Sequence, residues 1–280
     1  MINYVIWILT AILYTPLLYT LYSMRWDVVD YTHAYFIFPI FLWLTWRKRS
    51  DIKETINNKI KTGTSLSFML LIVGILTFLF GWRQDYIFIQ TISMIPVLFG
   101  LTGYLYGFKV SKILTFPILY LLLLVPPPFA ILDSITLPMR YMIAAATESV
   151  LSILNYPITR TGLEMNIGYS TILMGEPCSG FRSLITMISL VLVYIYIIKG
   201  TLIKKLALTA FIVPFALLGN LIRVVALCLI TFYFGEEAGQ GFFHNFSEIV
   251  IFIITLSGLM GVEALIGLTS KETEGTNTAI

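Results

Sequence analysis

Charged residues are scarce in this sequence. Asp, Glu, Lys and Arg make up 12% of the 280 residues, whereas hydrophobic residues make up 58%. An ordinary soluble domain has about 25% charged residues, so the scarcity argues against a water-soluble globule. Disordered chains have low hydrophobicity and few aromatic residues, and the 15% of aromatic residues here excludes that class. The composition predicts an all-α, polytopic membrane protein, and a net charge of +3 is too small to predict binding to nucleic acid.

Cysteine and histidine are scarcer still, with two residues of each. Cys178 and Cys228 do not make a disulfide framework, and we interpret both as free thiols. The sequence has no His-Glu-x-x-His motif and no Cys-x-x-Cys motif, so we expect no metal site and no cofactor. Gly-x-Ser-x-Gly is missing as well, and with it the signature of a serine hydrolase.

Eight apolar runs are candidates for membrane helices. They cover residues 4–21, 35–46 with its flanks, 65–80, 86–107, 113–125, 184–198, 206–234 and 249–268. A membrane helix needs about 20 apolar residues, so the second run is short and the seventh is long enough to be tilted or broken. We expect one integral-membrane domain over residues 1–270 and a short polar tail over residues 271–280.

Basic residues predict how the helices are oriented, because loops rich in Lys and Arg stay in the cytoplasm. The loop after the second run is the richest, and alternation from it places both termini in the cytoplasm of a cell-membrane protein. Another crossing within residues 137–155 would invert every later loop. We therefore expect Pro126, Pro127 and Pro128 to end the fifth span, an amphipathic helix with Arg140 and Glu148 to lie in the outer leaflet, and residues 156–177 to form an outer loop.

Cys178 has the more reactive setting of the two cysteines. Pro177 and small polar residues precede an apolar run, as at the N-terminus of a helix. Unpaired N–H groups there, and Arg182 four residues later on the same helix face, favour the thiolate, which is the reactive form. Taken alone, a cysteine is more often a small buried hydrophobic residue, and this is how we interpret Cys228, which has no charged neighbour in sequence.

Arg223 lies inside the seventh apolar run, eleven residues before Phe234. An arginine in hydrocarbon costs about 2.5 kcal/mol or more, so it should face the bundle interior or a wet cavity. A distance of about 16 Å along a helix is far for its charge to reach the membrane surface. Arg223 is therefore a candidate functional residue.

His244 precedes the eighth run on the predicted outer side, and His33 begins the second run on that side. The topology brings Cys178, Arg223 and His244 towards the outer leaflet. A thiol, a histidine as base and an arginine as charge stabiliser are a plausible set for acyl transfer. His33 is a candidate neighbour of this set.

Several motifs follow one another in a distinctive order. They are Asp-Tyr-Thr-His at 30–33, Val-Pro-Pro-Pro at 125–128, Glu-Pro-Cys-Ser-Gly-Phe-Arg-Ser at 176–183, Asn-Leu-Ile-Arg at 220–223, and His244. In these motifs the chain resembles the exosortase/archaeosortase family of integral-membrane cysteine transpeptidases. A histidine rather than an arginine at the last position favours the exosortase branch.

The resemblance implies an enzyme that cleaves C-terminal sorting signals of the PEP-CTERM type from exported proteins. Such a signal consists of a short motif, a membrane helix and a basic tail, and the product passes to a lipid or another surface acceptor. The resemblance also implies that Cys178 is the nucleophile, Arg223 the charge stabiliser and His244 the proton-transfer partner. Arg182, Asn220 and His33 are the implied supporting or substrate-binding residues.

Two other classes of protein fit parts of the sequence. A transporter or lipid-handling protein could use Arg223 to bind an anionic group, and a broken seventh helix would suit it. A noncatalytic scaffold for the assembly of surface polysaccharide is the other class. Neither accounts for the setting of Cys178.

Overall fold

The computed structural model describes residues 2–23, 34–57, 63–197, 202–240, 253, 257, 258, 260 and 261. Within this part of the chain the fold is mostly helical, with one small sheet. The chain divides into two compact units, Met1–Phe129 and Ala130–Ile280. Every described candidate residue, including Cys178 and Arg223, lies in the second unit.

The described part of the first unit consists of helices. They are α1 (Ile2–Leu21), α2 (Ala34–Arg47), α3 (Arg49–Asn57), α4 (Thr64–Arg83), α5 (Ile87–Tyr106), α6 (Phe108–Ile113) and α7 (Thr115–Tyr120), and the 3₁₀ turn Leu121–Leu124 follows α7. A buried bond of 2.9 Å between the Tyr14 and Ser93 hydroxyls joins α1 to α5. Polar bonds of this kind, rather than hydrophobicity, hold apolar helices together in a bilayer.

Glycines bring α4 and α5 close together. A Cβ on Gly100 would lie 2.6 Å from Leu71 Cα, and one on Gly74 would lie 2.7 Å from the backbone nitrogen of Val97. Gly103 also packs tightly, against the Ser67 and Ser111 hydroxyls. The two backbones approach as closely as small residues allow.

The second unit combines helices with a sheet. Its elements are α8 (Phe129–Ile153), which starts at the last residue of the first unit, β1 (Ile158–Thr161), β2 (Glu164–Ile167), β3 (Ser170–Leu173), the 3₁₀ turn Glu176–Ser179, α9 (Phe181–Ile197), α10 (Leu202–Phe234) and α11 (Glu236–Gln240). The strands form an antiparallel meander in the order β1-β2-β3. Met165 pairs with Arg160 on one side and Ile172 on the other.

The sheet buries one face in the core of this unit. Ile158, Met165, Ile167 and Ile172 point inward, and they pack with Ile143 and Leu151 of α8 and with Val224 of α10. Alternate residues therefore face the core, as expected of a sheet with one solvated face. Met174 and Cys178, which follow β3, belong to the same cluster.

The described helices agree with seven of the eight predicted runs. Four are long and apolar enough to cross a membrane, Asn3–Leu21, Thr64–Arg83, Ile87–Tyr106 and Lys205–Phe234, and the shorter apolar helices are Ala34–Arg47, Thr115–Leu124 and Leu184–Ile197. Most of the eighth run, 249–268, lies outside the described residues. A polytopic helical protein is therefore confirmed in outline, whereas eight spans, the orientation of the termini and the depth of α8 stay predictions.

One expectation about the second unit is wrong. Residues 156–177 are not simply a loop, since most of them form the three strands and the turn after them. Of the two alternatives for the seventh run, tilted or broken, the structure excludes a break, because α10 continues for 33 residues with Pro214 inside it. At about 1.5 Å per residue this helix is about 50 Å long, which exceeds the hydrocarbon thickness of a bilayer.

The close contact of α4 with α5 predicts that Gly100→Ala destabilises the protein. The new methyl group would overlap the Leu71 backbone, which cannot rotate away. We expect a loss of about 1–2 kcal/mol in the free energy of unfolding, after allowing for the better helix propensity of alanine. Thr77→Ala is the control, because Thr77 is only half-buried on α4 and its hydroxyl bonds to its own helix, to the Val73 carbonyl. Equal melting temperatures of the two variants in detergent would contradict the packing.

Candidate active site

Cys178 lies in the short 3₁₀ turn that links the sheet to α9. Its backbone N–H donates to the Gly175 carbonyl oxygen at 3.1 Å, and the turn ends at Gly180, which has a φ of 76°. A new helix then begins at Phe181, whose N–H donates to the Ser179 hydroxyl at 3.2 Å. Cys178 therefore precedes the helix and is not part of it.

The start of α9 after Cys178 corrects one expectation about Arg182. The sequence predicted a single helix that would carry Cys178 and Arg182 on one face. Gly180 adopts a left-handed conformation between them, so Cys178 and Arg182 do not belong to one helix and the spacing of four residues has no helical meaning here. The backbone of Arg182 lies in the first turn of α9, and its side chain lies outside the described part of the structure.

Asn220 connects the Cys178 turn to α10. Its Nδ2 atom donates to the Cys178 carbonyl oxygen at 2.9 Å, and the Asn220 side chain is completely buried. Gly180 packs against the same amide, since a Cβ there would lie 2.6 Å from Asn220 Cγ. The position therefore favours glycine for its left-handed φ and for this close approach.

Arg223 lies one helical turn after Asn220 and is 6% exposed. Its positive charge acts on the Cys178 thiol and favours the thiolate. Val224 is also fully buried, and Cys228 one turn later belongs to the same core cluster. One face of α10 thus carries an amide, a cation and a second thiol towards the Cys178 turn.

Burial dominates the electrostatics of Cys178, which is 5% exposed. Removal from water raises the pKa of the thiol above its ordinary value, and the charge of Arg223, a backbone hydrogen bond with Gly175 and the charge of Arg140 offset this only in part. The sequence had indicated a setting that favours the thiolate. The structure gives the opposite net direction, because burial outweighs the nearby positive charges.

Arg140 is the residue whose closeness to Cys178 was not foreseen. It lies on α8, forms an ion pair with Asp133 and contributes positive charge at the thiol. The sequence placed Arg140 only on an amphipathic helix of the outer leaflet. Its distance in sequence from residue 178 gave no signal of contact.

The structure describes some of the other predicted site residues and not others. Asn220 and Arg223 meet the Cys178 turn, as expected, whereas His33 and His244 lie outside the described residues. Cys228 is buried and apolar in its surroundings, in agreement with its interpretation as packing, although it shares a core cluster with Cys178. Both thiols are free.

Comparison with known proteins identifies the family. The model of the transmembrane exosortase family matches residues 26–261, which is most of the chain. The chain belongs to the transmembrane exosortase family. Neither the curated proteins nor the solved structures contain a significant match. In this exosortase the Cys178 turn, Asn220 and Arg223 all lie within the matched residues.

The exosortase site predicts that Asn220→Leu destabilises the protein. Leucine has a similar shape but no donor, so the buried Cys178 carbonyl loses its partner. We expect a loss of about 1–3 kcal/mol in the free energy of unfolding. Thr209→Val is the control on the same helix, because it removes an exposed hydroxyl that bonds only to the helix backbone. Calorimetry in detergent should show a lower melting temperature for Asn220→Leu alone.

The raised pKa of Cys178 predicts how its alkylation depends on pH. In the Cys228→Ala background, the rate with a small alkylating reagent should rise about tenfold per pH unit from about pH 7 to 9, because only the thiolate reacts. Arg223→Gln should slow alkylation at each of these pH values, since removing the positive charge raises the pKa further. A rate that stays constant over this range would mean that the thiolate is already formed.

Proposed function

We propose that this exosortase is a membrane-embedded cysteine transpeptidase. Its substrates are exported proteins that end in a sorting motif, a membrane helix and a basic tail, and its site lies near the extracytoplasmic leaflet. The proposal rests on two observations at Cys178: Asn220 bonds to its carbonyl, and the charge of Arg223, one turn later on α10, acts on its thiol. A thiol beside a buried cation is suited to acyl transfer, in which negative charge develops on a carbonyl oxygen.

In the first step, the Cys178 sulfur attacks the carbonyl carbon of the peptide bond. The thiol proton passes to His244, and the Arg223 guanidinium stabilises the negative charge on the carbonyl oxygen. The carbon–nitrogen bond then breaks, His244 returns the proton to the departing amine, and a thioester remains on Cys178. The raised pKa of the thiol agrees with a step that needs a base.

In the second step, a nucleophile attacks the thioester and releases Cys178 as a thiol. The acceptor is an amine or hydroxyl of a lipid or another surface molecule, and water is the alternative. His244 removes the proton from this nucleophile, by reversal of its first role. The reaction needs no cofactor, because peptide bond and acceptor supply all the atoms transferred.

One argument for a transporter was a broken seventh helix around Arg223. A transporter site is typically formed by broken membrane helices, and α10 is continuous through Arg223. The charge of Arg223 acts on a thiol that a transporter does not need. The structural setting of Arg223 therefore favours the enzyme.

The proposal predicts the outcome of a processing assay. The probe is a co-expressed exported reporter that ends in a motif, membrane helix and basic tail taken from a protein encoded in the same genome. Cys178→Ala and His244→Ala should slow processing by about 10³-fold or more, and Arg223→Ala by about 10²-fold or more. Immunoblots would then show the full-length reporter.

Cys228→Ala is the matched control, since it removes the other buried thiol of the same cluster. It should leave processing close to the wild-type level. Normal maturation of the reporter with Cys178→Ala would refute the mechanism.

A further inference from the structure

Beside the Cys178 turn, one edge of the sheet has no further strand among the described residues. In the order β1-β2-β3, the last strand pairs with β2 on one side. Helices α10 and α11 contact β3, but among the described residues no backbone hydrogen bond joins β3 to an element other than β2 and the Cys178 segment. The second side of β3 therefore presents backbone groups for another strand.

The register shows which groups these are. The Met174 N–H donates to the Leu163 carbonyl at 2.9 Å, which makes these two residues a hydrogen-bonded pair. Such pairs alternate along an antiparallel ladder, so Ile172 also directs its N–H and carbonyl groups towards β2. Thr171 and Leu173 therefore direct their backbone groups away from β2.

Thr171 and Leu173 are accessible. Both side chains are exposed, with Leu173 at 71%, while Ile172 and Met174 anchor the strand in the core. The Leu173 carbonyl already accepts from the Gly175 N–H at 2.9 Å. Two N–H donors and the Thr171 carbonyl thus have no backbone partner among the described residues, on a strand that is held firmly from one face.

This edge leads directly to the nucleophile of the proposed reaction. Cys178 follows Leu173 by five residues, and the intervening Gly175 carbonyl accepts from the Cys178 N–H. Each residue of an extended chain spans about 3.3 Å. A peptide paired with Thr171 and Leu173 therefore reaches the Cys178 turn within a few residues.

We propose that the substrate peptide binds as a fourth strand on the free edge of β3. The proposal rests on the proposed function and names the part of the substrate involved, the residues that precede the cleaved bond. These are the residues free to be extended, because a membrane helix follows the motif. They run parallel to β3, from Ser170 towards Cys178, so that their carboxyl end arrives at the thiol.

Addition of a strand gives affinity through main-chain hydrogen bonds, which suits an enzyme that acts on proteins of different sequence. In a parallel pair, the Thr171 N–H donates to the carbonyl of one substrate residue, and the Thr171 carbonyl accepts from the N–H of the substrate residue two positions later. The Leu173 N–H then donates to the carbonyl of that second substrate residue. Alternate residues of the substrate thus carry the backbone contacts.

The test uses proline and alanine variants of the full-length exosortase with the reporter described above. Thr171→Pro and Leu173→Pro remove outward N–H groups that bond to no other strand of the described chain, and proline is tolerated at such edge positions. Each should slow processing by about tenfold or more. Thr159→Ala is the control, because Thr159 is exposed on β1 at the opposite edge of the sheet, and its processing should stay close to the wild-type level. Wild-type processing by both proline variants would overturn the proposal.

A second measurement keeps the test decisive if a proline variant misfolds, as judged by its melting temperature and Cys178 alkylation. A photoreactive amino acid replaces Thr171 in a Cys178→Ser background, and Thr159 is the matched control. Thr159 lies in the same row of the sheet, paired through Asn166, but at the opposite edge. Cross-links to the reporter should form from position 171 and not from position 159. Equal cross-linking from both would overturn the proposal.

These experiments distinguish failure of the strand-binding proposal from failure of the proposed function. If Cys178→Ala processes the reporter normally, the reaction mechanism is refuted. If Cys178→Ala is inactive while both proline variants are fully active, the mechanism stands and only the strand-binding proposal fails.

Discussion

The hydrogen bond from Asn220 Nδ2 to the Cys178 carbonyl holds the candidate site together. It joins a short turn after the sheet to the middle of the longest helix, across 42 positions of sequence. Gly180 makes the approach possible, because any side chain there would collide with the Asn220 amide. The bond fixes the Cys178 carbonyl against α10 shortly before α9 begins at Phe181. A buried polar bond of this kind stabilises only modestly when formed, but its loss leaves a carbonyl without a partner.

Burial raises the pKa of the Cys178 thiol, and nearby positive charge lowers it. A thiol enclosed by apolar side chains keeps its proton, and the arginines of α8 and α10 offset this only partly. In the proposed mechanism, this balance means that a base must remove the thiol proton, since the thiolate is the nucleophile. Negative charge formed during attack would then arise beside Arg223, where low solvent exposure strengthens the interaction with the guanidinium.

The helices could be predicted from sequence, because an apolar run of sufficient length has few structural solutions in a bilayer. Arg223 and Cys178 were also recognisable, since a cation in an apolar run and a thiol beside proline and glycine stand out. The sheet was not, because its strands have only four residues each and carry charges such as Arg160 and Glu164. The partner of Asn220 is a backbone carbonyl, which leaves no mark on the sequence. The net pKa direction at Cys178 depends on burial, and burial follows only from the packed core.

The central claim is that the Cys178 held by Asn220 is the nucleophile, and intact mass spectrometry of an acid-quenched reaction tests it most directly. The full-length exosortase in detergent is mixed with the purified reporter and stopped during turnover. The account predicts an adduct with the mass of the exported part of the reporter, located on Cys178 and released by hydroxylamine, as a thioester should be. Turnover of the reporter without any adduct at Cys178, or with the adduct at Cys228, would contradict it.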